Sequence, residues 1–166
     1  MKNLQPFDGG TMNYGIVLQT KIGMLTVIAD EENLVEVTYG YSDTDYQAKA
    51  NPIVIKASAQ IAEYLSGQRK RFDLPIATNG TELQEQVWAV LKEVPYGETI
   101  TYKDISQKLG EDKSAQAIGG ACRKNPLSIV IPCHRVLGAN GKVAGNALEA
   151  PAKELVLKIE KNNKNK

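Results

Sequence analysis

The spacing of apolar residues changes near residue 80, and this change constrains the fold more than any other feature of the chain. Short apolar runs between turn residues predict an antiparallel meander of three strands, at residues 16–20, 24–29 and 34–39. Helical spacing follows over residues 52–65, and a further short strand is predicted at 74–76. Beyond residue 80 helical spacing predominates. The sequence therefore predicts an α+β fold.

A polar stretch at residues 77–80 separates the two halves. We expect a small N-terminal domain over residues 1–79 and a mainly helical domain over residues 80–166. No apolar run approaches the roughly 20 residues that span a bilayer, and the N-terminus lacks an apolar signal core. These features predict a cytoplasmic protein without membrane contact.

Capping residues mark three helix starts in the second half. Thr81 and Gln84 have the spacing of a capping box, Thr101 and Asp104 have a similar arrangement, and Ser114 can cap a third helix. The last two helices and the tight turn between them have the spacing of a helix-turn-helix, a common motif that is weak evidence alone. Small residues in the third helix favour close approach to another helix or to a DNA groove, and both alternatives stay open.

The charge of the chain is unevenly distributed. Residues 1–100 hold 8 Lys or Arg against 13 Asp or Glu, whereas residues 101–166 hold 12 against 6. The formal net charge of +1 therefore hides a basic second half. Such a half is typical of a surface that binds a polyanion, although a solvated face is the simpler interpretation.

The run from Pro132 to Val136 sets a potential nucleophile, Cys133, beside a potential base, His134. The apolar residues 127–131 predict a short buried strand that ends there, and Arg135 adds positive charge that would favour a thiolate. Free cysteine is often merely buried, which is the competing interpretation. Neighbours in a strand point to opposite faces, so the two side chains can cooperate only across a turn or through water.

A metal site is not expected around these residues. Cys122, Cys133 and His134 lack the paired C-x-x-C spacing that is typical of zinc ligands. Both cysteines are expected to be reduced.

Several ordered motifs carry a family resemblance across roughly residues 80–160. They lie at residues 94–102, 117–121, 125–126, 131–136 and 153–160. Together they resemble the O6-alkylguanine-DNA alkyltransferases. The resemblance implies a ribonuclease H-like N-terminal domain and a C-terminal domain with a winged-helix-like helix-turn-helix. It also implies DNA repair by irreversible, stoichiometric transfer of an alkyl group from O6-alkylguanine in double-stranded DNA to a cysteine, with no cofactor, by a monomer. O4-alkylthymine stays open as a second substrate.

The resemblance implies a catalytic role for five residues. Cys133 would accept the alkyl group, His134 would act as a base through water, and Glu160 would orient that base. Tyr102 would donate a hydrogen bond to the leaving guanine, and Asn125 would tie the third helix to the active-site turn. Taken alone, Glu160 also fits a solvated helix position, Tyr102 a core position and Asn125 an ordinary turn.

The resemblance also implies contacts to the base and to DNA. The carbonyl of Cys133, the amide of Val136 and the loop residue Ala147 would bind the base. The residues expected to contact DNA are Lys113, Gln116, Ala117, Arg123, Lys124 and Arg135.

The chain departs from the family pattern at two places. Gln116 stands where the family has an arginine that fills the space of the flipped base, so the wedge brings no charge. The stretch 145–151 replaces a glycine-rich loop and contains Glu149, which is unfavourable near phosphate. In the last helix we expect Leu155, Val156 and Ile159 to face inward.

Two other functions remain open. One is a non-catalytic DNA-binding module like the alkyltransferase-like proteins, although members of that group lack the acceptor cysteine that Cys133 supplies. The other is a Cys/His hydrolase, for which the sequence gives no oxyanion site beyond the turn.

Overall fold

Alternating apolar residues build an antiparallel sheet at the start of the computed structural model, which describes residues 12–110, 113–145 and 148–166. The predicted meander is confirmed, with strands β1 (Tyr14–Thr20), β2 (Gly23–Ala29) and β3 (Leu34–Tyr39). β1 begins two residues earlier than predicted, because Tyr14 and Gly15 pair with Ala29 and Ile28. A two-residue strand that was not predicted, β4 (Gln47–Ala48), pairs in parallel with β1. The strand order is β3-β2-β1-β4.

Helix α1 (Pro52–Leu65) covers one face of this sheet and matches its predicted range. Asn51 caps it by accepting a 2.9 Å hydrogen bond from the amide of Val54. Its apolar stripe, which includes Ala57 and Ile61, is fully buried. The sheet and α1 form the N-terminal half of the α+β fold.

The second half contains helices α2 (Glu82–Glu93), α3 (Tyr102–Lys108), α4 (Ala115–Arg123) and α5 (Ala150–Asn163). The predicted caps are confirmed. Thr81 and Thr101 both form capping boxes, and the hydroxyl of Ser114 accepts a hydrogen bond from the amide of Ala117. The indole nitrogen of Trp88 in α2 donates a 2.9 Å hydrogen bond to the carbonyl of Ala121 and so fixes α4 against α2.

The predicted strand over residues 127–131 is wrong. Leu127 forms one bridge with Val37, Ser128 forms one with Ile131, and the chain turns between them. The turn closes because the amide of Ile131 donates to the carbonyl of Leu127 at 2.8 Å, which places Ile129 at φ +73°. The predicted strand at 74–76 is likewise reduced to a single bridge, between Leu34 and Ile76.

The two halves are joined by backbone hydrogen bonds at the free edge of β3. The amide of Val37 donates to the carbonyl of Pro126 at 2.8 Å, and the amide of Ser128 donates to the carbonyl of Val37 at 3.0 Å. The buried apolar residues of both halves form one continuous core. The division into two domains after residue 79 therefore stays a prediction.

None of the helices in the described part of the chain has both the length and the apolar character needed to cross a membrane.

The contact between Trp88 and Ala121 gives a stability prediction. Trp88 is 3% exposed, so Trp88→Phe removes a buried donor and leaves a small cavity. We expect the free energy of unfolding to fall by roughly 1–3 kcal/mol, measured by urea denaturation followed by circular dichroism. A change below about 0.5 kcal/mol would mean that the indole does not hold α4 in place.

Candidate active site

A buried carboxylate, Glu160 of α5, lies at the centre of the site. Its side chain is 0% exposed and accepts hydrogen bonds from four residues. The Nε2 atom of His134 lies 2.5 Å from Oε2, and Nε and Nη2 of Arg135 donate at 2.8 and 2.9 Å. The amide of Gly97 donates to Oε1 at 3.1 Å, and the hydroxyl of Tyr64 donates to Oε2. Residues from both halves of the chain therefore meet on one carboxylate.

The electrostatics keep Glu160 ionised. Burial alone would raise its pKa, but the hydrogen bonds from His134 and Arg135 and the guanidinium charge lower the pKa to about 2. The guanidinium of Arg135 also donates to the carbonyl of Val94 at 2.6 Å, so both members of the ion pair have further hydrogen bonds. The phenol of Tyr64 stays protonated, because burial and then the Glu160 charge raise its pKa.

His134 is oriented as a neutral base. Burial lowers its pKa and outweighs the opposing effect of Glu160, so the ring is neutral at physiological pH. Because Nε2 faces a carboxylate, we assign the ring proton to Nε2, which leaves a lone pair on Nδ1. Nδ1 is buried and has no hydrogen-bond partner among the described residues.

Cys133 opens a 3₁₀ turn, Cys133–Arg135, directly after Pro132. The amide of Arg135 donates to the carbonyl of Pro132 at 3.0 Å, and this bond bends the chain at the cysteine. Successive side chains in a 3₁₀ turn are about 120° apart instead of on opposite faces, so Cys133 and His134 are not separated as they would be in a strand. The thiol is nearly enclosed, since Cys133 is 3% exposed.

Asn125 connects the end of α4 to the cysteine turn. Its Nδ2 donates to the carbonyl of Ile131 at 2.8 Å, and its Oδ1 accepts from the amide of Leu127 at 2.9 Å. Both ends of the amide are therefore used inside one loop. The role that the resemblance implies for Asn125 stays a prediction.

Tyr102 reaches the site because two short strands align its helix with the turn. Strands β5 (Ile100–Thr101) and β6 (Val136–Leu137) pair in parallel, and Tyr102 begins α3 immediately after β5. Burial, followed by Cys122, raises the pKa of Tyr102 and outweighs the opposing effect of Arg123, so its hydroxyl remains a donor. A cavity of about 340 Å³ opens beside it. Its lining includes Tyr102, Lys103, Lys113, Ala115 and Ala139.

Comparisons with known proteins place this arrangement in a family. The family model described as 6-O-methylguanine DNA methyltransferase, DNA binding domain, matches residues 82–162, and the ribonuclease-like domain of the same enzyme matches residues 13–78. The methylated-DNA–protein-cysteine methyltransferase of Methanosarcina acetivorans is 40% identical over 152 residues, covering 89% of this chain and 97% of its own. The chain belongs to the methylated-DNA–protein-cysteine methyltransferase family.

Two further relatives agree with this assignment. The constitutive methylated-DNA–protein-cysteine methyltransferase of Bacillus subtilis is 34% identical over 159 residues, covering 90% of this chain and 96% of its own. The crystal structure of Mycobacterium tuberculosis OGT in complex with DNA superposes with a TM-score of 0.81 at 32% identity, covering 90% of this chain and 94% of that chain.

Five of the six residues that were predicted to contact DNA lie on or near the helix-turn-helix surface of this methyltransferase family member. Gln116, Arg123 and Lys124 are exposed, while Lys113 and Ala117 are half-buried. Arg135 does not belong to this surface. It is 7% exposed, because its guanidinium is drawn inward by Glu160.

The predicted base-reading groups are only partly available. The amide of Val136 donates to the carbonyl of Cys133, so it is not free to bind a base. The carbonyl of Cys133 has a second lone pair that can still accept a hydrogen bond. Ala147 lies outside the described residues. The carboxylate of Glu149 lies 3.5 Å from the ammonium of Lys153, which also donates to the carbonyl of Ala144 at 3.3 Å.

The inward face of α5 matches the prediction in part, since Val156 is buried and Ile159 packs against the core, but Leu155 does not face inward. The buried residues are Lys153, Val156, Leu157 and Glu160. Leu155 is 45% exposed instead, because hydrogen bonds hold two polar side chains on the inward face: Lys153 bonds to the carbonyl of Ala144, and Glu160 bonds to His134 and Arg135. Sequence reasoning missed Lys153 and Tyr64 as residues of the site. The i, i+3, i+4, i+7 spacing of the buried face of α5 includes position 153, so this spacing could have indicated that Lys153 is buried. Tyr64 bonds to Glu160, 96 positions away, and no local sequence pattern indicates such a contact.

Within residues 12–110, 113–145 and 148–166, no group of three or more His, Cys, Asp or Glu side chains is placed to hold a metal ion.

The ionised Glu160 predicts how stability depends on pH. Its pKa is about 2 in the folded protein against an ordinary value of 4.5, so its contribution is complete above pH 4.5 and is lost as the pH falls toward 2. His134, whose pKa is lowered by burial, adds a loss in the same direction below about pH 6.5. We expect Glu160 to account for about 2 kcal/mol of the decrease between pH 7 and pH 3, measured by urea denaturation at pH steps across that range.

Two variants separate Glu160 from other carboxylates. Glu160→Gln should lose much of this pH dependence and cost roughly 3–5 kcal/mol at pH 7, because Arg135 is left buried without its partner. Glu154→Gln removes an exposed carboxylate from the same helix and should behave like the unmodified protein. Equal pH profiles for all three proteins would contradict the assignment.

Proposed function

We propose that this protein repairs DNA by direct damage reversal, transferring an alkyl group from O6-alkylguanine to Sγ of Cys133 once per molecule. The observation that carries the proposal is the hydrogen-bonded series Arg135, Glu160 and His134, which ends in a free imidazole nitrogen within the turn that bears Cys133. The family assignment supports the same reaction.

The reaction balances without a cofactor. The S–H proton of Cys133 passes through a water to Nδ1 of His134, which becomes an imidazolium beside the carboxylate of Glu160. The thiolate forms a bond to the alkyl carbon, and the bond from that carbon to O6 breaks with its electron pair going to guanine. Tyr102 donates a hydrogen bond to the leaving guanine anion. The anion takes up one proton from solvent and the imidazolium of His134 releases one to solvent, so the proton removed from Cys133 is balanced by the proton gained by guanine. The thioether is stable, so the protein acts once.

The partner that we propose is duplex DNA with the damaged guanine turned out of the stack. Lys113, Arg123 and Lys124 flank α4 and supply positive charge for phosphate contacts, and Gln116 and Ala117 at the start of α4 face the groove. Asn125 positions the cysteine turn relative to that helix. We propose a monomer that works in the cytoplasm, where its free cysteines stay reduced.

Intact-mass spectrometry tests the reaction. After incubation with duplex DNA that contains O6-methylguanine, the protein should gain a single methyl group. Cys133→Ala should gain none. Cys122→Ala is the matched control, because burial, followed by the Cys133 charge, raises the pKa of Cys122 to about 12 and leaves that thiol unreactive.

Each outcome has a definite meaning. Methyl gain by the unmodified protein and by Cys122→Ala alone establishes transfer to Cys133. Selective binding of the damaged duplex without methyl gain would replace this proposal with a non-catalytic lesion-binding module. Gain by Cys133→Ala would show that another residue is the acceptor.

The uncharged side chain of Gln116, at the position that would fill the space of the flipped base, gives a second prediction. Gln116→Arg adds a positive charge at an exposed position of α4, where it can stabilise the orphan partner base and the nearby phosphates. We expect roughly fivefold faster repair of a duplex, equivalent to about 1 kcal/mol, and a smaller gain on a short single strand. The measurement is the second-order rate of methyl transfer to each substrate, and equal gains on both would refute the wedge assignment of position 116.

A further inference from the structure

Four buried side-chain polar atoms have no hydrogen-bond partner among the described residues: Nδ1 of His134 and the hydroxyls of Tyr39, Ser58 and Tyr96. His134 follows Cys133 directly in the chain, and Tyr39 in β3 is the one of the three hydroxyl residues whose pKa is affected by Cys133. Buried hydroxyls and ring nitrogens are normally hydrogen-bonded, so each of these atoms needs a partner such as a buried water. The mechanism above uses Nδ1 and leaves the Tyr39 hydroxyl unexplained.

The sheet register carries Tyr39 toward the cysteine loop. The amide of Val37 donates to residue 126 and its carbonyl accepts from residue 128, so this end of β3 runs alongside the loop that leads to Cys133. Side chains alternate along a strand, and Tyr39 therefore shares the core-facing side with Val37. It lies opposite Leu25, which is fully buried.

The electrostatic surroundings of Tyr39 agree with this position. Burial raises its pKa well above the ordinary value, and the nearby ionisable groups Cys133 and Glu149 raise it further. The phenol consequently remains protonated and keeps its O–H as a donor. A phenylalanine would fill the same space without placing an unpaired hydroxyl in the interior.

We propose that the Tyr39 hydroxyl and Nδ1 of His134 together hold one buried water against Sγ of Cys133, which makes Tyr39 a positioning residue supplied by the N-terminal half. This inference rests on the proposed function and extends it. The proposal gives the N-terminal sheet a role in activating the thiol of Cys133. The sequence predicted no such role for any residue of that sheet.

The hydrogen-bond valences of a water molecule fit these three partners. Water accepts from the O–H of Tyr39 and from the S–H of Cys133, and it donates to the lone pair on Nδ1 of His134. When the S–H proton moves to the water, the water passes one of its own protons to Nδ1. The products are a thiolate and an imidazolium, and Tyr39 keeps its proton throughout. Tyr39 thus fixes the water in place without exchanging charge.

Tyr39→Phe tests the proposal with the loss of a single oxygen atom. We expect the single-turnover rate of methyl transfer at saturating O6-methylguanine duplex to fall roughly 10- to 100-fold, the effect of losing one hydrogen bond at a charged centre. Duplex affinity, compared between Cys133→Ala and the Cys133→Ala/Tyr39→Phe double variant, should not change. Tyr41→Phe makes the same chemical change at an exposed tyrosine two residues away and should leave the rate unaltered.

A second measurement separates this inference from the proposed function. Iodoacetamide alkylates thiolates without DNA, and peptide mass spectrometry can report its rate at Cys133 alone. We expect this rate to fall in Tyr39→Phe by a factor similar to that for methyl transfer, with urea denaturation showing the same stability. An unchanged alkylation rate would overturn the role of Tyr39. If the unmodified protein gained no methyl group while alkylation slowed in Tyr39→Phe, the proposed function would fail and the water site would stand.

Discussion

The carboxylate of Glu160 is the contact on which the rest of the site depends. It joins α5 to the cysteine turn through His134 and Arg135, and to the N-terminal half through Tyr64. A buried carboxylate is costly unless its lone pairs are satisfied, and here each oxygen accepts hydrogen bonds from more than one group. The carboxylate that holds the two halves together through Tyr64 also fixes the tautomer of His134. Stability and chemistry therefore share one set of interactions in this fold.

The inward position of Arg135 changes the interpretation of the charge pattern. A basic second half suggests a broad cationic surface, yet Arg135 and Lys153 are buried against Glu160 and Glu149 and offer little to a phosphate. Their charges serve to balance carboxylates in the interior. The attraction for DNA that we propose must then come from fewer side chains, chiefly Lys113, Arg123 and Lys124 around α4. Counting charges along a sequence overstates a binding surface whenever part of the charge is paired internally.

The sequence predicted those features that depend on neighbouring residues. The caps at Thr81, Thr101 and Ser114 were predicted correctly, because a capping side chain bonds to an amide only three residues away. The strand expected at 127–131 failed, because a hydrogen bond from Asn125 and pairing with β3 bend that apolar run into a turn. The orientation of Arg135 was equally inaccessible, since its partner lies 25 residues away. Its residue type fits a DNA surface as well as an interior ion pair.

The altered stretch after Gly141 also has a physical explanation within the chain. An uncompensated carboxylate there would repel phosphate, but the carboxylate of Glu149, the N-cap residue of α5, lies 3.5 Å from the ammonium of Lys153. The same ammonium donates to the carbonyl of Ala144, and a side chain at Gly145 would collide with it. One buried lysine thus anchors both ends of the stretch and balances its charge. The two departures from the family pattern are therefore unequal, because the charge of Glu149 is balanced within the fold, whereas Gln116 leaves the exposed start of α4 without the arginine's charge.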